Sequence, residues 1–445
     1  MDGKDLTKGS VTGNILSFSL PYMLAYFLQI LYGLADLFVI GQYCGVDETT
    51  SVSNGAQVMY MVTVVLIGLA MGTTVLTARA VGAKNEKQAR LVVGNTVSMF
   101  AILALVLMVL LLSLRGWIVE VMSTPPEAVG GMVHYLTVCF IGIPFIIAYN
   151  IIASIFRGLG DSKSPMYFVA VACVCNIILD YVFIGAMGLG AMGAALGTTL
   201  SQMASVAFAL RSIRRHRGVL DISRSDMRLR KGVVGKILKI GAPIAMQDGF
   251  IQVSFLAITV IANCRGLVDA AAVGIVEKFI GLVFIVPSAM LSTVSAVSAQ
   301  CVGAGNPTRA VATMRRAMLI TVVYGLVCAV VLQFVPEKAV GIFTDDAAVL
   351  ANGSDYLRGY VWDCALAGMH FCFSGFFTAC GYSIISFLHN SVSIITARIP
   401  LAWLASRLYP DTLYPMGLST CVGSVVSCLI CLCAYQWVKK KMLHG

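Results

Sequence analysis

Five acids stand inside long apolar runs: Asp36, Asp180, Asp248, Glu277 and Asp363. A carboxylate at the centre of a membrane helix costs roughly 2.5–3.5 kcal/mol to insert, so each of these needs a partner or a task. Asp36 lies among Leu34, Ala35, Leu37 and Phe38. Asn176 and Asp180 are four residues apart and share one helix face. Thr198 adds a hydroxyl one or two turns into the next apolar run. Carboxylates, an amide carbonyl and a hydroxyl are the oxygen donors that a hard cation such as sodium takes. Two neighbouring carboxyls could instead share a proton. Asn176 and Thr198 also suit a plainer role as hydrogen-bonding glue between helices.

The second half of the chain offers a different set. Asp363 and His370 are seven residues apart and fall on one helix face, as a titrating pair or as a simple hydrogen-bonded one. Glu277 and Lys278 are adjacent, about 100° apart around a helix, and cannot neutralise each other side by side. A cavity-facing Glu277 would attract cationic compounds. Tyr22, Tyr26, Phe27, Tyr32 and Tyr149, with 21 methionines, would suit a promiscuous pocket, although packing or lipid contact accounts for any one of them as well. Cys428-x-x-Cys431 has metal or redox spacing but no His or second pair nearby, and reads as small residues packing a membrane helix. No Gly-Lys-Ser/Thr phosphate loop and no nucleophile constellation is present, so neither ATP drive nor an enzyme is expected, and no cofactor.

The elements that must position these groups are membrane helices. Of 445 residues, 58% are hydrophobic and 12% charged, against about a quarter charged in soluble domains. A span needs about 20 apolar residues. Twelve segments qualify: 14–40, 53–76, 92–114, 132–155, 166–186, 191–210, 237–261, 270–298, 314–335, 355–380, 384–406 and 414–438. Pro21, Pro144, Pro243, Pro287 and Pro400 fall within them, as kinks a bundle tolerates. The fourteen cysteines fit a cytoplasmic membrane rather than a disulfide-stapled secreted chain. The first apolar run is too long for a cleavable signal.

Lys and Arg set the orientation. With the N-terminus in the cytoplasm, inside segments carry 24 of them and outside segments 5. That asymmetry accounts for the net charge of +10 without nucleic acid. Ten lie between Arg211 and Lys239, a basic stretch attractive to anionic lipid head groups. It divides the chain into an N-terminal lobe (1–210), a cytoplasmic linker (211–236) and a C-terminal lobe (237–445).

The halves are related. Residues 77–90, TARAVGAKNEKQAR, and 298–311, SAQCVGAGNPTRAV, share six of fourteen positions at an offset of 221. Ile15-Leu16 and Pro21 match Ile237-Leu238 and Pro243 at 222, and Gly158 corresponds to Gly381. Six spans per half is an even number, so both copies enter from the same side, as a parallel repeat about an axis along the membrane normal. Transporters built in this way place their substrate between the halves.

These features together resemble one family. Pro21-x7-Gln29-x6-Asp36-x4-Gly41, the 77–90 loop, Phe156-Arg-Gly-Leu-Gly-Asp-Ser-Lys-Ser-Pro165, Asn176-Ile-Ile-Leu-Asp180 and Gly193-Ala-Ala-Leu-Gly-Thr198 look like successive motifs of the multidrug and toxic compound extrusion (MATE) transporters. The resemblance implies an all-α membrane protein, a V-shaped bundle of two six-helix lobes. It implies export of small organic, often cationic compounds in exchange for sodium ions or protons. It places Asp36, Asn176, Asp180 and Thr198 at the cation site of the N-terminal lobe. Gln29, Tyr32, Glu277, Met369 and His370 are the candidates to line a substrate cavity. One branch of the family binds a cation with a glutamate on the seventh helix and an aspartate on the tenth. Here the seventh offers Gln247, Asp248 and Gln252, and the tenth Met369 and His370, which points to coupling through the N-terminal lobe. A lipid-linked precursor flippase of the same superfamily is the alternative, but it would favour a basic cavity, and only Lys278 and Arg398 lie within spans. An intramembrane enzyme would need a catalytic cluster that the sequence lacks. A monomer is expected.

Overall fold

A computed structural model describes residues 5–214 and 221–444; residues 215–220 of the basic linker, with Arg215 and Arg217, lie outside the described residues. Helices and short connections make up all of the described chain. Ten helices among the described residues are long and apolar enough to cross a membrane, and a bent pair supplies an eleventh crossing. The first seven helices are α1 (Val11–Tyr43), α2 (Val46–Gly82), α3 (Glu86–Val121), α4 (Pro126–Ile141), α5 (Ile143–Gly158), α6 (Lys163–Asp180) and α7 (Gly190–Arg214). The second half continues with α8 (Lys231–Asn263), α9 (Leu267–Val283), α10 (Ile285–Gly303), α11 (Pro307–Phe334), the short α12 (Pro336–Val340), α13 (Ala347–Tyr360), α14 (Asp363–Ala379), α15 (Ser383–Ser393), α16 (Ile399–Leu408) and α17 (Tyr414–His444).

Three of the twelve expected spans are broken. The fourth divides into α4 and α5, bent by 50° at Gly142, with Pro144 in the first turn beyond. Proline is tolerated there because its missing N–H has no helical partner to lose. The eighth divides at Phe284, three residues before Pro287, into α9 and α10. The tenth is α13 and α14, which meet at Val361–Trp362. Pro21 and Pro243 remain inside continuous helices. Two spans also contain a π-turn, Tyr181–Ala186 after α6 and Ile394–Arg398 between α15 and α16.

The chain forms two compact units. One contains residues 20–241 and the other 6–19 with 242–445, so the first turns of α1 and of α8 belong to the unit opposite in sequence. In the first unit, Val39, Ile40, Val52, Phe140 and Ile147 form the main core, and Tyr149, Phe156 and Phe168 a second. In the other, Ile258, Val276, Ile280, Tyr356, Tyr360 and Met416 pack together. There the N-terminal segment is held by Arg309, whose guanidinium donates to the carbonyls of Leu6, Lys8 and Gly9 at 3.3, 2.9 and 3.0 Å.

The internal repeat is visible in the backbone itself. After α2, Ala83, Lys84 and Asn85 donate to Arg79, Val81 and Ala80; after α10, Ala304, Gly305 and Asn306 donate to Gln300, Val302 and Cys301. The middle residues are both left-handed, Lys84 at φ 53° and Gly305 at φ 71°. The two asparagines then cap the next helices, accepting from Gln88 N at 2.9 Å and Arg309 N at 3.0 Å. After α5 and α14 the left-handed residues are Gly160 (φ 88°) and Gly381 (φ 83°). By conformation, Gly381 therefore pairs with Gly160 rather than Gly158, which restores the offset of 221.

Close helix crossings rest on glycine, because small residues let membrane helices approach. A Cβ at Gly72 would meet the Ile237 carbonyl, and one at Gly241 the Leu69 carbonyl, where α2 crosses the start of α8. Gly359 and Gly417 make the same reciprocal approach between α13 and α17. Gly72→Ala and Gly359→Ala are each expected to lower stability by about 1–3 kcal/mol, since backbone rather than a movable side chain blocks the methyl. Thermal unfolding in detergent measures this. Gly116, whose Cβ position is open, serves as the control.

The described part of the linker is docked on α3. Asn95, fully buried, donates to the Asp226 carbonyl at 3.1 Å and accepts from Arg230 N at 2.7 Å, while Ser98 donates to the Met227 carbonyl at 2.7 Å. Ser223 donates from hydroxyl and backbone to Asp226, which holds that carboxyl below the usual carboxylate range. A depressed value means that the turn is tied above the ordinary aspartate range and loosens as pH falls through the lowered one. Asn95→Ala removes two hydrogen bonds that hold the linker backbone, worth about 1 kcal/mol each. Faster tryptic cleavage at Arg224, Arg228 and Arg230 is the expected result, with the helices intact.

Candidate functional site

In the first unit, α1 is built inside out relative to a soluble helix. Leu20, Leu24, Phe27, Leu31, Leu34 and Phe38, spaced four and three apart, form an exposed apolar stripe. The stripe suits lipid and turns the polar positions Gln29, Tyr32 and Asp36 inward. In α6 the exposed Tyr167, Val174 and Ile178 do the same for Asn176 and Asp180. Asp180 closes α6 immediately before the π-turn, an irregularity common at functional sites.

These helices bring together the four residues read as a cation site. Asp36, Asn176 and Asp180 are 5%, 1% and 0% exposed. Thr198 of α7 donates to Asp36 Oδ2 at 3.3 Å, and the side chains of Asp180 and Asn176 also reach Asp36. Gly197 lies so close beneath them that a Cβ there would overlap Asp180 Oδ1 and touch Asn176 Nδ2 at 3.6 Å. Asp36 Oδ1, both Asp180 oxygens and both amide atoms of Asn176 are buried without a good hydrogen-bond partner. Buried polar atoms are normally paired, and bare buried carboxylates are costly. Among the described residues, no lysine or arginine acts on either carboxyl. The donor set is oxygen throughout, so a proton shared by the two carboxyls or one hard monovalent cation fits it.

Around this centre stand two groups that the sequence did not single out, Tyr135 and Cys139, beside several that it did. Tyr135 and Cys139 of α4 lie within electrostatic reach of Asp36, as does Tyr32. Tyr32 in turn neighbours Tyr149 of α5, which stands beside Gln29 and Arg157. A small polar pocket lined by Tyr22, Tyr26, Gln29, Asn150 and Arg157 opens there, with the Arg157 guanidinium 4.2 Å from the Tyr22 ring centroid. Nothing in the spacing of Tyr135 and Cys139 separates them from core residues.

The remaining candidates belong to the other unit. Glu277 on α9 is half-buried and lies beside Thr259 and Arg398; Lys278 next to it is exposed. His370 is buried, and its Nε2 is 3.4 Å from Ser424 Oγ on α17, which also reaches Asp363. A serine thus stands between the two groups that share a face of α14. Met369 is half-buried beside His370, and Asp248 is half-buried on α8. Cys428 and Cys431 are buried free thiols; no group of three or more His, Cys, Asp or Glu suited to a metal occurs among the described residues.

Known proteins are similar over the whole chain. The sequence model of the family described as MatE matches twice, over residues 21–182 and 243–404. The two matches are 222 residues apart and of equal length, as the repeat requires. "Probable multidrug resistance protein YoeA" of Bacillus subtilis is 25% identical over 98% of this chain and 96% of its own. "Multidrug export protein MepA" of Staphylococcus saprophyticus is 25% identical over 84% and 83%. Among solved structures, an outward-facing multidrug resistance MATE family transporter of the MOP superfamily superposes with a TM-score of 0.90 at 21% identity, covering 99% of this chain and 98% of that one.

Proposed function

We infer the function from one premise: the chain belongs to the MatE family, whose model fits both of its halves. It is a multi-pass membrane transporter, not an enzyme. We propose that it exports small organic cations in exchange for protons or sodium ions, and that Asp36 and Asp180, with Asn176 and Thr198, bind the coupling ion. The observation that carries this reading is the set of buried carboxylate and amide oxygens left without partners in the first unit. Such a group is stable when protonated or cation-bound and costly when bare, so it senses which ion is present. Coupling follows if cargo and ion favour opposite conformations.

A cationic cargo is favoured by the charges within the twelve apolar segments, where five acids stand against one half-buried arginine, Arg398, and one exposed lysine, Lys278. Gln29, Tyr32, Glu277, Met369 and His370 are the residues assigned to cargo. The excess of Lys and Arg on one set of loops supports a cell-membrane protein with both termini cytoplasmic; a monomer is the state we propose.

Purified protein in liposomes, loaded with a fluorescent organic cation, tests the proposal. An opposing proton or sodium gradient, imposed separately, is expected to drive dye movement against its own gradient. Movement that ignores both gradients would remove the basis for ion coupling, and preferential transport of a lipid-linked phosphate would favour the flippase reading.

A further inference from the structure

The surface of the first unit carries an apolar groove that the exchange reading does not use. Leu69 of α2, Met99, Ile102, Leu103 and Val106 of α3, and Leu238 near the start of α8 line about 270 Å³ of open space. The close crossing beside it, Gly72 against Ile237 and Gly241 against Leu69, fixes α2 and α8 by their backbones, so the groove has a firm wall. Ile102 and Val106 also belong to the exposed stripe Ile102, Leu105, Val106 and Val109 of α3, spaced three and four apart, which suits hydrocarbon. The groove therefore opens to the bilayer rather than to water.

One end of the groove is basic. Ser98, next to Met99, donates to the Met227 carbonyl at 2.7 Å, and Asn95, one turn earlier, accepts from Arg230 N at 2.7 Å, so the linker lies across α3 where the groove ends. There Arg228, Arg230 and Lys231 are exposed, interleaved with Met227 and Leu229, which are 40% and 48% exposed. Bare apolar side chains among cations suit a membrane–water interface. Lys231 and Leu238 are seven residues apart on α8 and share a face, and Gly235 between them leaves that face open. Lys231 thus stands about 10 Å nearer the water than Leu238. From 221 to 239 six Lys and Arg stand against two acids, Asp221 and Asp226, and Ser223 engages Asp226. The corresponding segment of the repeat, residues 1–17, has Lys4 and Lys8 against Asp2 and Asp5, with no excess of either sign.

We propose that this is a binding site for one anionic phospholipid, with an acyl chain in the groove and the phosphate among Arg228, Arg230 and Lys231. The groove supplies contact along the chain, and the docked linker supplies charge; a free basic tail would supply only the second. A zwitterionic head group brings its own cation against these three, so an anionic one is preferred. Asn95 and Ser98 hold the linker by its backbone, at Asp226, Met227 and Arg230, which leaves the basic side chains to the lipid. A lipid seated there touches both α3 and the linker and favours the docked form of the linker. The site depends neither on the ion exchanged nor on the cargo.

Native mass spectrometry of the delipidated full-length protein in a nonionic detergent tests this, with palmitoyl-oleoyl phosphatidylglycerol or phosphatidylcholine added separately. It reads the affinity for the first bound lipid. The parent is expected to hold the phosphatidylglycerol about tenfold more tightly than the phosphatidylcholine. Arg228→Gln with Arg230→Gln and Lys231→Gln is expected to bring the two affinities within about twofold of each other. Val106→Trp fills the groove from a position 55% exposed, alters no charge, and is expected to weaken phosphatidylglycerol binding about tenfold. Lys439→Gln with Lys440→Gln, near the C-terminus, is expected to leave the preference as it was. Size-exclusion profiles check that each variant is folded; should the triple variant fail, Val106→Trp and the C-terminal pair still decide the matter. Equal affinities of the parent for the two lipids overturn the proposal. A preference lost to the same extent in the Lys439 and Lys440 variant also overturns it, because any basic patch would then serve. So does a Val106→Trp protein that binds phosphatidylglycerol as the parent does, since the groove would then hold no chain.

Discussion

Replacing Asp36 by Asn is expected to abolish gradient-driven export while the protein still folds and still binds cargo. The exchange keeps the shape of the side chain and its contact with Thr198, 3.3 Å away, but removes the titratable charge. An amide costs far less to bury than a bare carboxylate, so the site no longer changes in energy when an ion arrives or leaves. Without that change the two fluxes cannot be linked. Uphill transport in liposomes should fall to the level of protein-free controls, and anisotropy of a fluorescent organic cation should report binding within about threefold of the parent, under 1 kcal/mol. Removing the neighbouring hydroxyl by Thr198→Val should cost about 1 kcal/mol, the worth of one hydrogen bond, and slow export without abolishing it. An Asp36→Asn protein that pumps at the parent rate would remove Asp36 from the mechanism. If the exchange moves two ions per monovalent cargo, a membrane potential adds about 2.3 kcal/mol per net charge per 100 mV, and the parent protein but not the variant should respond to it.

Gly197→Ala is expected to damage the same site without touching any ionisable group. The methyl would overlap Asp180 Oδ1 and press on Asn176 Nδ2. Asp180 has a short side chain and is fully buried, so it cannot swing aside into open space. Overpacking of this kind costs about 1–3 kcal/mol, which corresponds to roughly a 5- to 150-fold change in ion affinity if the strain falls on the ion-bound form. The expected result is export that needs a steeper gradient to reach half its maximal rate, with cargo binding retained. Gly193→Ala, one turn earlier, would meet the Phe183 backbone and Leu189 rather than the acids, and so separates a general packing defect from a change at the site. Equal losses of export for the two substitutions would sink the argument.

Much of this molecule is written along the chain in local terms. Apolar run lengths mark the spans because a membrane must be crossed by about 20 residues at a time. The offset of 221 is legible because both copies need the same left-handed residue and the same asparagine cap, Lys84 with Asn85 and Gly305 with Asn306. Asp36, Asn176 and Asp180 stand out because an acid in an apolar run has a high cost that sequence alone reveals. The helix breaks at Gly142 and Phe284 were less legible, since Pro144 and Pro287 could equally have been absorbed as Pro21 and Pro243 are. Whether a proline breaks a helix depends on what packs beside it.

What only the tertiary structure decided is which charges meet. Thr198 and Asp36 are 162 residues apart, and Arg398 and Glu277 lie on different helices of the second unit. Read by itself, Glu277 was an acid awaiting a cation; in the fold it stands beside Thr259 and within electrostatic reach of Arg398. Asp363 and His370 share a helix face by spacing alone, yet Ser424 of α17 stands between them. Periodicity determines the face on which a residue lies, because it is a property of one helix. The partner it finds is set by how several helices pack, and in an interior of low dielectric that partner decides whether the group is neutral, paired or ion-bound.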